Sequence, residues 1–264
     1  MNSDEVHSLF AQTLLGDCAS ELAWAAVSAL RMNGSRDVFE FAAEWCRADD
    51  PLKKARAADI LCQLQRAQSQ EIPSASQWMF RDESFELIAD ILENEQDPIV
   101  LHSAITALGH IENLKAVPLI LRYLDHAQEE IRFAVAFALG CFANDQRAVL
   151  GLTKLTMDSC AAVRDWAVFG LGVLGDCDSP EIRDALLRCT NDTDVDVREE
   201  AAVGLGKRHD QRLIPQLHSM FDRGEVTVRV TEAAMGLLEL QNAPPDWTPA
   251  DYKAALHAKF NSQE

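Results

Sequence analysis

A short helical signature closing on Ala-Leu-Gly or Gly-Leu-Gly recurs through the chain at a nearly constant interval. Aligned on Leu101, Arg132, Arg164, Arg198 and Arg229, successive copies lie 31, 32, 34 and 31 residues apart. Lys54 and, more weakly, Ala23 extend the frame to seven units, with one stretched interval of 47 residues between Lys54 and Leu101. A fixed period of this size means one supersecondary unit per repeat. Each unit is too small to bury its own apolar face and must stack on its neighbours.

The repeated positions identify the buried face. One residue before each anchor stands Val100, Ile131, Val163, Val197 or Val228; three after it come Ala104, Val135, Ala167 and Ala201; seven after it come Leu108, Leu139, Leu171 and Leu205. These offsets share one stripe of a helix with about 3.6 residues per turn. Gly109, Gly140, Gly172 and Gly206 follow at plus eight, where glycine serves close packing or a helix end. Asp50-Pro51 and Asp97-Pro98 read as N-cap plus first helical residue, and Asp194 and Glu225 hold the same place four before their anchors. Asp194 with Arg198 and Glu225 with Arg229 also bring opposite charges together on one helix face and read as structural pairs, a ladder of buried or half-buried bonds between repeats. A second helix of each unit is expected upstream, over 84–94, 114–124, 148–157, 181–189 and 213–221. Pro118 and Pro215 would either kink two of these or mark their first turns.

The stretches Asp97-Pro98-Ile99-Val100 through Ala107-Leu108-Gly109, Val163-Arg164 through Gly170-Leu171-Gly172, and Val197-Arg198 through Gly204-Leu205-Gly206 resemble HEAT repeats of the short bacterial kind named after phycobilisome lyases. The resemblance spans roughly residues 34–241. It implies an all-α fold, a right-handed α-solenoid of about seven stacked helix pairs, forming a single domain over 1–264. Residues 1–33 would cap the N-terminal end. Leu101 departs from the usual basic anchor, and the last unit has Glu232, Gly236 and Leu237 where Ala, Leu and Gly are expected, as suits a terminal repeat. After Pro244-Pro245, Thr248-Pro249-Ala250-Asp251 is a capping-box pattern that opens a C-terminal capping helix within 246–261. The stretched interval leaves an insertion from Arg66 to Arg81, with Trp78-Met79-Phe80 at its end, either functional or pinned by those aromatic residues.

Composition narrows the partners. Net charge is −18, from 42 acidic against 24 basic residues, which repels phosphate backbones and speeds encounter with a cation. Nucleic acid is therefore not the expected partner, although the acids could also be merely solvated faces. No basic start with an apolar run and no 18-residue apolar stretch is present, so the expectation is a cytoplasmic protein that neither enters nor crosses a membrane. Seven cysteines without paired spacing read as reduced core residues, and no Cys-x-x-Cys supports a metal site.

Motifs for an enzyme are mostly absent: there is no His-Glu-x-x-His, phosphate loop, Gly-x-Ser-x-Gly or dinucleotide fingerprint. Deoxyhypusine hydroxylases, an iron-binding family of HEAT-like enzymes, use His-Glu pairs, and this chain has no His-Glu dipeptide. In HEAT-like stacks the anchor-bearing helices line the concave surface. Their outward offsets, plus one and plus five, place His102 and Thr106, Phe133 and Phe137, Asp165 and Phe169, and Glu199 and Val203 there, with Trp166 and Glu200 beside them. Aromatic residues bordered by carboxylates have the composition of a protein-binding hot spot with a polar rim. The same rings would also suit ordinary core wedged between repeats. The resulting expectation is a non-catalytic solenoid, without cofactor, that holds a basic protein partner in an acidic, aromatic-lined groove. It disfavours a small-molecule ligand, and an antidote to a toxin fits it. A bilin chromophore lyase or chaperone subunit and a general scaffold or adaptor stand as alternatives.

Overall fold

The computed structural model describes residues 1–16, 20–65, 79–244 and 246–261. Cys18 and most of the insertion, residues 66–78 with Trp78, lie outside them. Among the described residues the regular structure is helical, and the chain is an all-α repeat solenoid. It divides into two compact units, Met1–Cys141 and Phe142–Glu264.

The first unit holds four helix pairs: α1 (Ser3–Gln12) with α2 (Glu21–Met32), α3 (Arg36–Trp45) with α4 (Pro51–Leu61), α5 (Arg81–Asn94) with α6 (Pro98–Ile111), and α7 (Ala116–Leu121) with α8 (Glu129–Gly140). The second holds three: α9 (Gln146–Leu155) with α10 (Ala161–Phe169), α11 (Pro180–Cys189) with α12 (Val195–Lys207), and α13 (Ile214–Asp222) with α14 (Val228–Leu238). It closes on α15 (Pro249–Asn261), which packs on α13 and α14. The anchors all fall on the second helix of a pair. Those helices form the spine of each unit: α4 packs on α6 and α6 on α8, while α10 packs on α12 and α12 on α14.

Local sequence sets the helix starts. Asp50 and Asp97 each accept from the backbone N–H two residues on, at 2.9 Å, with proline as the first helical residue. Asp194 accepts from Asp196 N and Val197 N. Pro118 and Pro215 sit in the first turns of α7 and α13, where a missing N–H is harmless. Asp251 Oδ2 accepts from both Thr248 N and Thr248 Oγ1, the reciprocal bond that opens α15. Tyr252 then stacks on Phe221 at 5.6 Å, and Leu256 is fully buried. At the far edge of the insertion, Met79 N donates to Leu64 O and the Phe80 ring lies 4.7 Å from that of Phe39.

Val100, Ile131, Val163 and Val197 are fully buried, as their period requires, but Val228 is 81% exposed. The last repeat is in fact registered on Thr231, 33 residues after Arg198. In that frame Val230, fully buried, matches Val197, and Thr227 matches Asp194 as N-cap, accepting from Val230 N. Glu225 is therefore no cap. The alignment on Arg229 follows a chemical identity two residues out of step with burial.

The corrected register exposes the key between repeats. The cation at the anchor reaches a carboxylate six residues before the next anchor: Lys54 to Glu95 at 2.6 Å, Arg164 to Asp192 through two bonds of 2.7 Å, and Arg198 to Glu225 at 3.1 Å. Arg132, Arg164 and Arg198 also donate to the carbonyls six and five residues upstream, fixing their own interhelical turns. The expected ladder between repeats is thus present, but its members are these pairs in place of Asp194 with Arg198 and Glu225 with Arg229. Leu101, buried and apolar, has no charge to offer, and His126 replaces the carboxylate in the following repeat, where its Nδ1 accepts from Gln128 N. Lys54 and the N–H groups of Gln96 and Asp97 hold the Glu95 carboxyl down to about 2.

Backbones approach closely where glycine recurs. A Cβ on Gly109 would lie 2.8 Å from Ala138 Cα, and one on Gly204 would lie 2.6 Å from Gly172 Cα. Gly172 belongs to a π-helical turn, Gly170–Leu174, that continues α10. Arg208, 8% exposed, donates to the carbonyls of Leu171 and Gly172 in this irregular turn, and also to those of Cys177 and Gly204. Cys46, Cys62 and Cys189 are buried, and burial pushes their thiols up to about 12, 11 and 11.

Gly204→Ala should destabilise the fold by about 1–3 kcal/mol, although alanine is the better helix former, because backbone and not a flexible side chain blocks the new methyl. A urea midpoint at or above that of the parent would show that the two helices can part freely. Glu95 contributes stability that is complete above its ordinary value of 4.5 and lost as pH falls toward about 2. The urea midpoints of the parent and Glu95→Gln should therefore differ at pH 7 and converge across that window.

Candidate functional site: the outward face of the anchor helices

His102 and Thr106 lie on α6, beside Phe133 and Phe137 on α8, in the first unit; all four are half-buried. The Phe137 ring meets His110 edge-on at 5.1 Å, and His110 Nδ1 is 3.3 Å from Gln63 Nε2. Burial lowers His110 to about 4 and lowers His102 as well. Both imidazoles are therefore predominantly neutral at pH 7.

His102 also lines a cavity of about 430 Å³ with Trp24, Arg56, Asp59, Ser103 and Glu130. Arg56 lies 3.3 Å from Asp59 and 5.0 Å from the Trp24 ring centroid, and donates to Thr13 O at 3.0 Å. Burial raises the Asp59 carboxyl, against the opposing pull of Arg31 and Arg56. The repeat pattern gives no sign of this buried pair. Arg56 and Asp59 are spaced three apart on α4, a common feature of solvent-facing helix surfaces.

In the second unit Asp165, Trp166 and Phe169 lie on α10, and Glu199, Glu200 and Val203 on the adjacent α12. The two rings meet at right angles, with centroids 5.7 Å apart, and both are half-buried. The carboxylates differ from a solvated rim, because Glu199, Glu200 and Val203 are buried. Against α12 packs α14, whose Arg229 reaches back to Asp196 at 2.8 Å, Glu200 at 2.8 Å and Glu199 at 4.0 Å. Asp196 and Arg229 hold equivalent places in successive repeats once the last register is corrected. Burial raises Glu200, with repulsion from Asp165, Glu232 and Asp196 in the same direction. It likewise raises Asp165, with Asp196 and Asp194 adding to the effect. Asp196 has no signal in the repeat pattern, and Glu232 shows there only as a departure of the last unit, because the importance of both depends on where α14 packs.

Among the described residues, no group of three or more His, Cys, Asp or Glu is arranged to hold a metal ion. No helix among them is long and apolar enough to cross a membrane.

Helix pairs keyed through their second helices define a repeat solenoid of the HEAT type. HEAT repeats match residues 85–172 and 149–238, more than half of the chain, and the chain belongs to the HEAT repeat family. Protein YibA of Escherichia coli strain K12 is 25% identical over 242 residues, covering 89% of this chain and 80% of YibA. The X-ray structure of YibA superposes with a TM-score of 0.68 at 24% identity, over 90% of this chain and 82% of that one. The condensin Cnd3-Cnd2 subcomplex of S. pombe gives a TM-score of 0.59 at 14% identity, over 90% of this chain and 33% of that chain. Both structural likenesses concern the fold alone.

Removing Arg229 leaves Asp165, Asp196, Glu199 and Glu200 without their shared cation. Arg229→Met should destabilise the chain by about 1–3 kcal/mol at pH 7, less than loss of a fully buried partner, because Arg229 is 43% exposed and partly screened. Arg229 opposes the rise of the Glu200 and Asp165 carboxyls, so without it their charge is left uncompensated until protonation removes it. The loss should therefore shrink as pH falls into the range where these carboxyls protonate, as measured by urea denaturation at several pH values.

Proposed function

We propose that this chain is a non-catalytic protein-binding solenoid whose partner is a basic protein. The observation that carries this reading is the pairing of half-buried rings with surplus carboxylate on the spine helices: Trp166 and Phe169 stand on α10 beside the acids of α10 and α12. In the first unit, Phe133 and Phe137 stand on α8, whose neighbour α6 carries His102 and Thr106. Half-buried rings already fixed by neighbours lose little conformational freedom on docking, which suits them as anchors. A net charge of −18 would accelerate encounter with a cationic protein and disfavour nucleic acid.

An antidote that masks a cationic, nuclease-type toxin is the specific form of this function that we favour. Such a toxin carries a basic surface for its own substrate, and an acidic partner can cover that surface without any chemistry of its own.

The test is recovery of a bound protein from the native host, followed by kinetics with the purified pair. One stoichiometric basic protein is expected, bound at least about tenfold more weakly by Trp166→Ala with Phe169→Ala, with helical circular dichroism unchanged. Raising salt should slow association far more than it speeds dissociation. Association that ignores salt would remove charge from the mechanism, and several weak partners would favour an adaptor.

A further inference from the structure

The carboxylates between α10, α12 and α14 are unevenly neutralised. Asp165, Asp196, Glu199 and Glu200 share Arg229, which is 2.8 Å from Asp196 and from Glu200 but 4.0 Å from Glu199. Glu199 is only 4% exposed, and its Oε2 faces Arg229 while its Oε1 is buried without a hydrogen-bond partner. Asp165 Oδ1, on the neighbouring helix, is likewise buried and unpartnered. A buried carboxylate oxygen without a donor is costly, and two on adjacent helices call for a donor group that a single resident guanidinium does not supply.

We propose that Asp165, Asp196, Glu199 and Glu200 form a socket for one arginine side chain of the basic partner, with Arg229 as the resident cation that occupies part of it in the free chain. The incoming group must donate to oxygens on two different helices at once. A guanidinium, planar and carrying five N–H donors, does this, whereas an ammonium is a strongly hydrated point charge. Arg229 and Asp196, 43% and 60% exposed, are the members at the surface, so the incoming group would enter past them. Trp166, next to Asp165 in sequence and half-buried, supplies an indole on the same helix for the aliphatic stem or guanidinium face. This assignment rests on the basic-partner reading and narrows it to one side-chain chemistry at one place.

The test titrates N-acetyl-arginine amide, and separately N-acetyl-lysine amide, into the ¹⁵N-labelled full chain at low salt. The expected result is saturable shifts confined to amides of α10, α12 and the start of α14, with the arginine derivative bound about fivefold tighter than the lysine one. Glu199→Gln and Asp165→Asn, both near-isosteric, should each weaken the arginine derivative about tenfold while leaving the circular dichroism spectrum unchanged. Equal binding of the two derivatives by the parent chain, or shifts scattered over the acidic surface, would overturn the socket whatever the variants do. So would parent-like binding by a folded Glu199→Gln chain. A basic protein held equally well by the parent and Glu199→Gln would sink the socket and leave the basic-partner reading standing. Arginine-specific binding here, with no basic partner recovered from the host, would do the reverse.

Discussion

Each helix pair leaves one apolar stripe uncovered, and only the next pair can cover it. That constraint accounts for the period, for the small residues along the spine and for the ion pairs that fix one repeat on another. Small side chains let the spine helices approach until backbone meets backbone, as at Gly172 and Gly204. At such distances the helices could still slide, because an apolar stripe repeated every turn fits more than one offset. The pairs Lys54–Glu95, Arg164–Asp192 and Arg198–Glu225 oppose sliding, since each charge meets its partner at one offset only. Hydrophobic burial supplies most of the stabilisation, and partly buried ion pairs of this kind chiefly select the register.

The exception at Leu101 supports this division of labour. There the anchor has become apolar and fully buried, and the next repeat carries His126 where the others carry a carboxylate. Cation and anion are replaced together, while the turn-capping acceptor at that place is kept. A carboxylate facing Leu101 would have been desolvated without compensation, so the loss of one partner makes the other unfavourable.

The helix pairs were legible because their evidence is local: caps, proline positions and a burial period can be read within one turn of chain. The Asp50, Asp97 and Asp194 caps follow from single side chains accepting from N–H groups two or three residues away. What misled was chemistry without burial. Arg229 resembles an anchor, yet Val230 and Thr227 fix the register two residues later. A ladder of ion pairs between repeats was legible, but its members were not: Asp194 and Arg198 are countable as neighbours, whereas Arg198 and Glu225 meet only when two repeats stack. Arg208 clasping the π-helical turn and Arg56 buried with Asp59 lie further beyond reach, since both depend on backbone irregularity or packing that no period encodes.

The candidate site follows the same logic one level higher. Positions plus one and plus five are half-buried in the repeats anchored on Leu101, Arg132 and Arg164, but Glu199 and Val203 at those positions are buried. The sequence shows which residues occupy the face, while their exposure is set by the helix that packs next. On α12 that helix is α14, which brings Arg229, two residues before its anchor Thr231, opposite Asp196, where it also meets Glu200. Had the last repeat kept Arg229 at its anchor, a guanidinium in that place would be expected to follow Arg164 and Arg198 toward the next repeat's turn. The acids of α12 would then lack it. A cation two residues before the anchor, where it faces the preceding repeat, thus accounts for the partial neutralisation of the carboxylates and links the end of the stack to the chemistry of its acidic face.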